Sequence, residues 1–522
     1  FTSPINQQTM KSFSILICLL ACIAGLWVSC EKNIPTQLEF SHYEFSESDA
    51  NGGTWKPVLL TSASQIGIPA PQSTSSASYL AELADVKAAS SQLTAQQRAA
   101  VEYWGNNGLL RWNELARELA AKYNLPPAPN PDGTYGAPDP ANPDRYPQFP
   151  FAHPPYACRM FAYWSAAQMD ALISAWHYKH LYNRPAPYKV DNTIQPHLPV
   201  SDLPSYPSDA AVVAAVSEAI LGAMFPLEKA YLNQRALEHK NAALWSGSNV
   251  WSDVTAGDSL GRAVAAVFLA RASTDGMRNA QAPKPVSDSL AAAALLYRGT
   301  KWVNLEEPPR PVGITPLFGR VKLWCVPNVE AVRPPQPPAI GSPEFEQAAA
   351  ELRDIAKNLT TEQRRIANFW SDGIGTYTPP GHWNRRATEL IVKNRYNPLR
   401  SARTYAYMNM AVMDAGISCW DAKYYYHYPR PIQAIPGFKT ILGTPNFPAY
   451  TSGHSTFSAA AATVLGHIFP SEKQTLDAWA KEAADSRLYG GIHYRFDSEE
   501  GLKQGRAVAA YSVAIAIADG AE

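Results

Sequence analysis

Basic side chains and histidines recur at short spacing in the last hundred residues of the chain. The segment KYYYHYPRP holds Lys423 and Arg430 seven positions apart, so both lie on one face if a helix continues through it. The segment TSGH then places Ser452, Gly453 and His454 at the start of an alanine-rich stretch. A helix that begins there offers unpaired N–H groups to an anion, and the glycine lets the anion approach the backbone.

A third segment, SRLYGGIHYRFD, adds Arg487, His493 and Asp497. Asp497 can hold one nitrogen of the His493 ring and leave the other free. With the first two segments, this makes three cations, a helix start and two histidines, a set typical of a site for a tetrahedral oxyanion. One histidine can attack the central atom while the other protonates the leaving oxygen. Each segment alone has a simpler explanation, such as a capping serine or a surface ion pair, so the prediction depends on their combination.

The elements that must hold these segments occur twice in the sequence. MDALISAWHYK at 169–179 matches MDAGISCWDAK at 413–423, an offset of 244 residues. The same offset aligns 203–226 with 447–470. One register held over so long a stretch indicates an internal duplication.

Each copy is predicted to be a bundle of long helices, because apolar residues recur at three- and four-residue spacing and no useful strand pattern is present. We therefore predict an all-α fold of two helical bundles, the second of them catalytic. The helices predicted in the first copy are 94–123, 159–180, 208–223 and 256–273. The predicted domains are a signal or lipoprotein segment at 1–30, a tether and N-terminal extension at 31–90, a degenerate bundle at 91–276, a proline-rich connector at 277–345 and the catalytic bundle at 346–522.

The first thirty residues predict export. Met10 and Lys11 lead into an apolar run that ends in WVSC at Cys30, which resembles a bacterial lipobox. We expect a lipoprotein on the periplasmic or outer-membrane side, anchored to the membrane only through Cys30, with plain secretion or an uncleaved anchor as alternatives. The chain has 45 basic and 45 acidic residues, so it has no net positive charge that would favour binding to nucleic acid. Three scattered cysteines in the body of the chain do not predict a disulfide framework.

The three segments together resemble a known signature. Lys-x6-Arg-Pro, Ser-Gly-His and Ser-Arg-x5-His-x3-Asp form the motif of the phosphatidic-acid-phosphatase type 2 (PAP2) and vanadium haloperoxidase superfamily, and Thr451 replaces the usual proline before Ser-Gly-His. The resemblance implies that the oxyanion is bound by Lys423, Arg430, Ser452, Gly453 and Arg487. It further implies that His493 is the axial vanadium ligand or the phosphorylated nucleophile. His454 would then be the acid–base group and Asp497 the residue that orients His493.

The first copy lacks this set. At the same offset it has Ala210 for His454, Asn249 for His493 and Ala243 for Arg487, whereas Lys179 corresponds to Lys423. The retained lysine leaves the role of Lys423 open between scaffold and oxyanion ligand. The first bundle is therefore predicted to be a non-catalytic partner of the second.

The resemblance leaves three functions open. The first is a haloperoxidase that uses vanadate as cofactor and hydrogen peroxide to oxidise a halide, with Trp420 and Phe447 beside the halide. Core packing is the alternative role for both rings. The second is a soluble PAP2-type phosphatase that needs no cofactor and hydrolyses phosphate esters through a phosphohistidine, which is favoured by the short spacing of 33 residues between His454 and Arg487. The third is a lipoprotein that binds phosphate compounds or a glycan without turnover. A small-molecule substrate is expected in either enzyme, and a homodimer stays open.

Overall fold

Helices account for every regular element longer than one turn in the part of the chain that the structure describes. The structure is a computed structural model, and it describes residues 42–105, 107–126, 128–135 and 152–522. The predicted signal segment and Cys30 lie outside the described residues. No strand occurs within the described ranges, so the predicted all-α class is confirmed.

The helices are numbered in chain order. Those up to residue 298 are α1 (Ala77–Ser91), α2 (Ala95–Trp104), α3 (Gly108–Tyr123), α4 (Pro154–Tyr182), α5 (Pro187–Val190), α6 (Asp209–Met224), α7 (Lys229–Trp245), α8 (Trp251–Ser273) and α9 (Lys284–Arg298). Those that follow are α10 (Pro343–Lys357), α11 (Thr361–Phe369), α12 (Thr378–Lys393), α13 (Pro398–Tyr426), α14 (Pro431–Ala434), α15 (Gly453–Ile468), α16 (Lys473–Tyr489) and α17 (Arg495–Ile517).

Four helices of the first half have counterparts of equal length in the second. The pairs α4 and α13, α6 and α15, α7 and α16, and α8 and α17 contain 29, 16, 17 and 23 residues per helix, and each pair starts 244 residues apart. This arrangement is consistent with the predicted duplication, and a common origin of the halves stays a prediction. The single helix predicted at 94–123 is wrong: α2 ends at Trp104, because Gly105 has a positive φ of 58° that cannot continue a helix.

The central helices α4 and α13 pack against each other and are buried along almost their whole length. Such burial explains why their sequences are apolar all round instead of on one face. No helix among the described residues is long and apolar enough to cross a bilayer. The thiols of Cys158, Cys325 and Cys419 are free.

An irregular segment crosses each central helix and is held by a buried carboxylate. Asp170 of α4 accepts the backbone N–H groups of residues 58–60 at 2.6–2.9 Å. Asp414 of α13 accepts those of residues 324–326 at 2.7–3.0 Å. Burial raises the pKa of both carboxyl groups to about 6. The N-terminal extension and the proline-rich connector thus occupy equivalent places on the two halves, and the connector packs onto the helix that carries Lys423.

Candidate active site

The alanine-rich helix α15 begins where the sequence predicts it. Ser452 is the N-cap, and its hydroxyl accepts the N–H of Ser455 at 3.4 Å. Gly453 and His454 form the first turn. A Cβ added to Gly453 would meet only the rings of Phe457 and Trp420, at 3.7 and 3.8 Å, which is ordinary contact. The fold therefore leaves room for a methyl group at Gly453, at the positive end of a helix.

Two glycines of α17 bring that helix against the start of α15. A Cβ at Gly501 would lie 2.9 Å from the carbonyl oxygen of Ser452, and one at Gly505 would lie 2.3 Å from that of Thr456. The N–H of Ser452 donates to the carbonyl of Asp497 at 2.9 Å. This close crossing sets the first turn of α17, which carries Asp497, beside the first turn of α15.

His493 precedes α17 and is oriented by Asp497 in the helix's first turn. The Nδ1 of His493 lies 2.8 Å from Asp497 Oδ2, which also accepts the N–H of Tyr494 at 3.2 Å. His493 lies before the helix and Asp497 lies in its first turn, so the two residues are not neighbours on one helix face. Because the carboxylate accepts a hydrogen bond from Nδ1–H, the Nε2 of the neutral His493 ring keeps its lone pair.

Arg430 reaches the site from a turn, not from the helix that carries Lys423. Helix α13 ends at Tyr426, and His427 follows in the left-handed conformation with φ 50°. The condition for Lys423 and Arg430 to share a helix face is therefore not met. Both cations nevertheless lie against one ring: the Lys423 Nζ is 5.0 Å and the Arg430 guanidinium carbon 5.1 Å from the centroid of Phe447.

The guanidinium of Arg430 is buried beside His493. Its Nε donates to the carbonyl of Phe447 at 3.0 Å, and its Nη1 to the carbonyl of Ile492 at 2.8 Å. The same Nη1 lies 3.1 Å from the Nε2 of His493. The Nη2 is buried and has no partner among the described residues. One donor of Arg430 is thus free for a ligand.

Arg487 is held by the end of α11. Its Nε donates to Ser486 Oγ at 2.9 Å, and its Nη2 donates to the carbonyls of Trp370 and Ala367 at 2.6 and 3.2 Å. Burial lowers the pKa of Arg430 and of Arg487 to about 10, so both stay charged at neutral pH.

Lys423 holds the turn that leads into α15. Its Nζ donates to three backbone carbonyls of residues 448–451 at 2.5–2.9 Å. Burial lowers the pKa of this ammonium group. Its counterpart Lys179 makes the same kind of bond to the carbonyl of Pro204 at 2.6 Å and an ion pair with Asp209 at 2.9 Å. A scaffold role is therefore common to the two lysines, and Asp209 shows that such a lysine also binds an anionic oxygen.

His454 faces two residues that the sequence did not predict as part of the site. Its Nε2 is buried without a hydrogen-bond partner among the described residues and lies 4.0 Å from Asp372 Oδ2. Asp372 Oδ1 lies 3.1 Å from the Nδ1 of His382, whose ring stacks on Trp370 at 4.3 Å. Burial, and then the charge of Arg487, hold the pKa of His454 well below its usual value. Asp372 thus lies where it can stabilise a protonated His454.

Asp372 and His382 could have been found by comparing the two copies. The first copy reads WGNNG where the second reads WSDG, so Asn106 stands in the place of Asp372. Arg111 likewise stands in the place of His382 in the aligned segments RWNELAREL and HWNRRATEL. A residue whose charge differs between the two copies is expected to have a different role in each. The sequence does not show which residue its side chain contacts.

Trp420 and Phe447 lie together beside the cations. Their ring centroids are 4.9 Å apart, and the Arg430 guanidinium carbon is 5.1 Å from the Phe447 ring. The Nε1 of Trp420 donates to the carbonyl of Ile314 at 3.1 Å. Its counterpart Trp176 makes an equivalent bond outside any such site, so the position of Trp420 is part of the scaffold. The half-buried Phe447 forms the apolar wall next to Arg430.

The corresponding region of the first bundle is closed by internal pairs. Arg184 forms an ion pair with Asp253, the counterpart of Asp497. Asn249 occupies the place of His493, and its Oδ1 accepts the hydroxyl of Ser208 at 3.0 Å. The cations there are thus paired with carboxylates, and the buried His239, which lines a cavity with Asp209 and Asn249, accepts a hydrogen bond from Trp112 Nε1 at 3.1 Å.

The second bundle, in contrast, buries two guanidinium groups that no carboxylate contacts directly. Within the described part of the chain, the guanidinium groups of Arg430 and Arg487 bond to carbonyl, hydroxyl and imidazole atoms, not to carboxylates. Asp497 acts on Arg430 and Asp372 on Arg487 only through longer-range attraction. Burying a cation without a hydrogen-bonded counter-charge is costly, and an oxyanion bound between the two guanidinium groups and the start of α15 would supply one.

Comparisons with known proteins agree with this geometry. A family model described as the PAP2 superfamily matches residues 404–519. Vanadium chloroperoxidase of Curvularia inaequalis is 26% identical over 132 residues, which is 19% of this chain and 22% of that protein. The match thus spans about a fifth of that relative's length.

Two solved structures share the fold. The first bacterial vanadium-dependent iodoperoxidase superposes with a TM-score of 0.53 at 24% identity, over 69% of this chain and 91% of that chain. An apo-type bacterial vanadium-dependent chloroperoxidase superposes with a TM-score of 0.50 at 14% identity, over 69% of this chain and 94% of that chain. Residues 404–519 therefore match the PAP2 superfamily, and the chain shares the fold of these two vanadium haloperoxidases.

Proposed function

We propose that the chain is a vanadium-dependent haloperoxidase, which oxidises a halide with hydrogen peroxide. The observation that carries the proposal is the pair of buried guanidinium groups, Arg430 and Arg487, that lack a carboxylate partner among the described residues and lie beside a helix start. Such a cradle suits a resident oxyanion, because the anion supplies the hydrogen-bonded counter-charge that the two guanidinium groups otherwise lack.

The residues present fit vanadate. Arg430 has an Nη2 without a partner in the described ranges, Gly453 leaves space at the first turn of α15, and the Nε2 of His493 carries a lone pair. Arg430, Arg487, Lys423 and the Gly453 amide would hold the oxygens of vanadate, and the Nε2 of His493 would be its protein ligand. When bound, vanadate supplies the Lewis-acidic centre that activates peroxide toward a halide.

His454 is the proposed proton-transfer group. Its neutral imidazole can accept a proton from hydrogen peroxide, and the Asp372 carboxylate at 4.0 Å favours the protonated form that results. An anion bound next to His454 adds negative charge and favours that protonated form as well. Phe447 and Trp420 exclude water from one side of the cradle and offer an apolar surface to a polarisable halide.

A PAP2-type phosphatase is the second candidate. The same cradle would bind the phosphoryl oxygens, the Nε2 of His493 would attack phosphorus, and His454 would protonate the leaving alkoxide. The short spacing between His454 and Arg487 favours this candidate. The superposition on two haloperoxidases over most of this chain is what favours the peroxidase.

One set of assays separates the candidates. The purified chain is tested with and without vanadate for peroxide-dependent halogenation of a dye, with chloride, bromide and iodide, and for hydrolysis of p-nitrophenyl phosphate. We expect vanadate-dependent halogenation. Ester hydrolysis without halogenation would replace the proposal by the phosphatase, and tight vanadate binding with neither reaction would indicate a binding protein.

The variant His493→Ala tests the site itself, because it removes the proposed vanadate ligand or nucleophile and leaves the cations in place. We expect it to abolish either reaction. Undiminished turnover in this variant would show that the chemistry lies elsewhere in the chain.

A further inference from the structure

A groove with basic side chains lies behind the turn that joins Arg487 to His493. It has a volume of about 520 Å³ and lies between α10, the start of α11, the loop 436–441 and the turn 488–491. None of the residues assigned to the oxyanion cradle lines it. We refer to it as the basic groove.

Four cations form the rim of the basic groove: Arg353, Lys357, Arg364 and Lys439. All four side chains are exposed, and no carboxylate of the described residues lines the groove. The nearest acids on the flanking helices have other partners, since Glu351 binds Arg495, Glu362 binds Arg365 and Asp354 accepts a hydrogen bond from the Asn358 amide at 2.8 Å. In a chain with equal numbers of basic and acidic residues, this leaves a local excess of positive charge that attracts anions.

The floor of the basic groove is apolar. It is made by Leu359, Pro436, Phe438, Ile441 and Leu488. Leu488 and Phe438 are buried against the core, whereas Ile441 is 41% exposed. Cations around an apolar floor suit a ligand that has both a charged head and an apolar body, because the head meets the rim while the body covers the floor.

The groove and the cradle share one turn of backbone. The N–H of Ile492 donates to the carbonyl of Arg487 at 3.1 Å, and the carbonyl of Ile492 accepts from Arg430 at 2.8 Å. On the other side, Gly491 has φ 73°, and a Cβ there would come within 3.2 Å of the Phe438 ring. A ligand in the groove thus lies against the back of the segment that positions two cations of the cradle.

We propose that the basic groove is a second binding site, which takes a small amphiphilic organic anion: an aromatic or aliphatic body with a carboxylate, sulfonate or phosphate head. The site does not depend on the proposed function, since none of its lining residues belongs to the cradle. Because the rim cations are exposed and screened by salt, the expected affinity is modest, on the order of 0.1 mM.

The test measures binding of 2-naphthalenesulfonate to the full chain by isothermal titration calorimetry, with 2-naphthol as the neutral analogue. We expect the sulfonate to bind at least about fivefold more tightly than the naphthol, and less tightly as sodium chloride is raised. The double variant Lys357→Gln/Lys439→Gln should weaken sulfonate binding about fivefold or more. The control Lys473→Gln/Lys481→Gln removes the same charge from exposed positions on α16 and should leave it unchanged.

Equal affinity in the wild type and in the rim variant would overturn the proposal. Displacement of the sulfonate by saturating vanadate would also overturn it, because the probe would then occupy the cradle. Binding that persists in His493→Ala supports the groove whether or not the chain proves to be a peroxidase, so the two proposals fail separately.

Discussion

Neutral histidines and charged arginines share one buried cradle. Burial lowers the pKa of both kinds of group, but it starts from about 6.5 for His454 and His493 and from 12.5 for Arg430 and Arg487. At neutral pH the imidazoles therefore keep their lone pairs while the guanidinium groups keep their charge. The cradle can bind an anion and move a proton at the same pH for this reason.

Asp372→Asn tests the acid next to His454. Asparagine keeps the size of the side chain and tolerates the φ of 42° at this position, so the fold should persist. Loss of the carboxylate charge further lowers the pKa of His454. The acidic limb of the pH–rate profile, where His454 becomes protonated and no longer accepts a proton, should then move to lower pH by as much as the pKa of His454 falls.

The measurement is kcat/KM against pH for whichever reaction the wild type catalyses. His382→Asn is the companion variant, because it removes the imidazole on the far side of Asp372 without changing the acid. An unchanged profile in Asp372→Asn would mean that the 4.0 Å approach to His454 has no part in catalysis.

At the scale of elements, the starts of α6 and α15 differ at a residue next to the shared serine cap. Asp209 stands in the place of Gly453, and its carboxylate already binds Lys179. The first bundle thus supplies an internal anion at a position where the second has no side chain. The same helix start can carry its own anion or lack one without a change of fold.

We expect Gly453→Asp to close the second cradle in the same way. The new carboxylate should bind Lys423 and weaken vanadate binding by about 100-fold or more, since it also repels the anion. Gly453→Ala is the matched control, because its Cβ makes only ordinary contacts and should cost much less. Vanadate titrations and thermal melts of both variants check this, and undiminished binding in Gly453→Asp would argue against the space at Gly453 as part of the cradle.

The end of α13 carries a second difference between the halves. His427 caps this helix with φ 50°, both of its ring nitrogens are buried without a hydrogen-bond partner among the described residues, and burial lowers its pKa to about 4. Its counterpart Asn183 caps α4 with φ 48°. Asparagine is well suited to this conformation.

His427→Asn should make the protein less sensitive to acid. Between about pH 6.5 and pH 4 the unfolded chain binds a proton on His427 that the folded chain does not, so the free energy of unfolding falls as the pH drops. Removing this group should reduce that slope by up to about 1.4 kcal/mol per pH unit. Urea unfolding at pH 7.5, 6 and 5 measures the slope in both proteins, and parallel slopes would contradict the prediction.

At the scale of the whole molecule, the halves are joined by a polar network inside the core. Asn409 of α13 and Asn384 of α12 exchange hydrogen bonds at 2.8 and 3.0 Å. Asn384 also accepts from Asn113, and Asn409 donates to Ser165, both in the first half. Since all four side chains are fully buried, each needs its partner.

Asn409→Ala should lower the free energy of unfolding by about 1–3 kcal/mol, because it leaves buried groups of both halves without a partner. We expect one cooperative transition in wild type and variant, followed by circular dichroism and tryptophan fluorescence in urea. Two separate transitions in the wild type would show that the halves are independent folding units.

Local sequence determined much of this protein. Helix periodicity, the Ser452 cap and the spacing of His493 and Asp497 act within a few residues, so the all-α class, the start of α15 and the oriented imidazole could be read from the sequence. The repeated segments also predicted that the first bundle lacks the histidines of the second.

Only the tertiary structure decided what surrounds these groups. The carbonyls that hold Arg487 come from residues 117 and 120 positions away, and Asp372 reaches His454 from another helix end. The free Nη2 of Arg430 and the carbonyls around Lys423 are likewise products of packing among the described residues. Such partners leave no periodic trace in the sequence, because a carbonyl group belongs to every residue and only the fold brings a particular one to a cation.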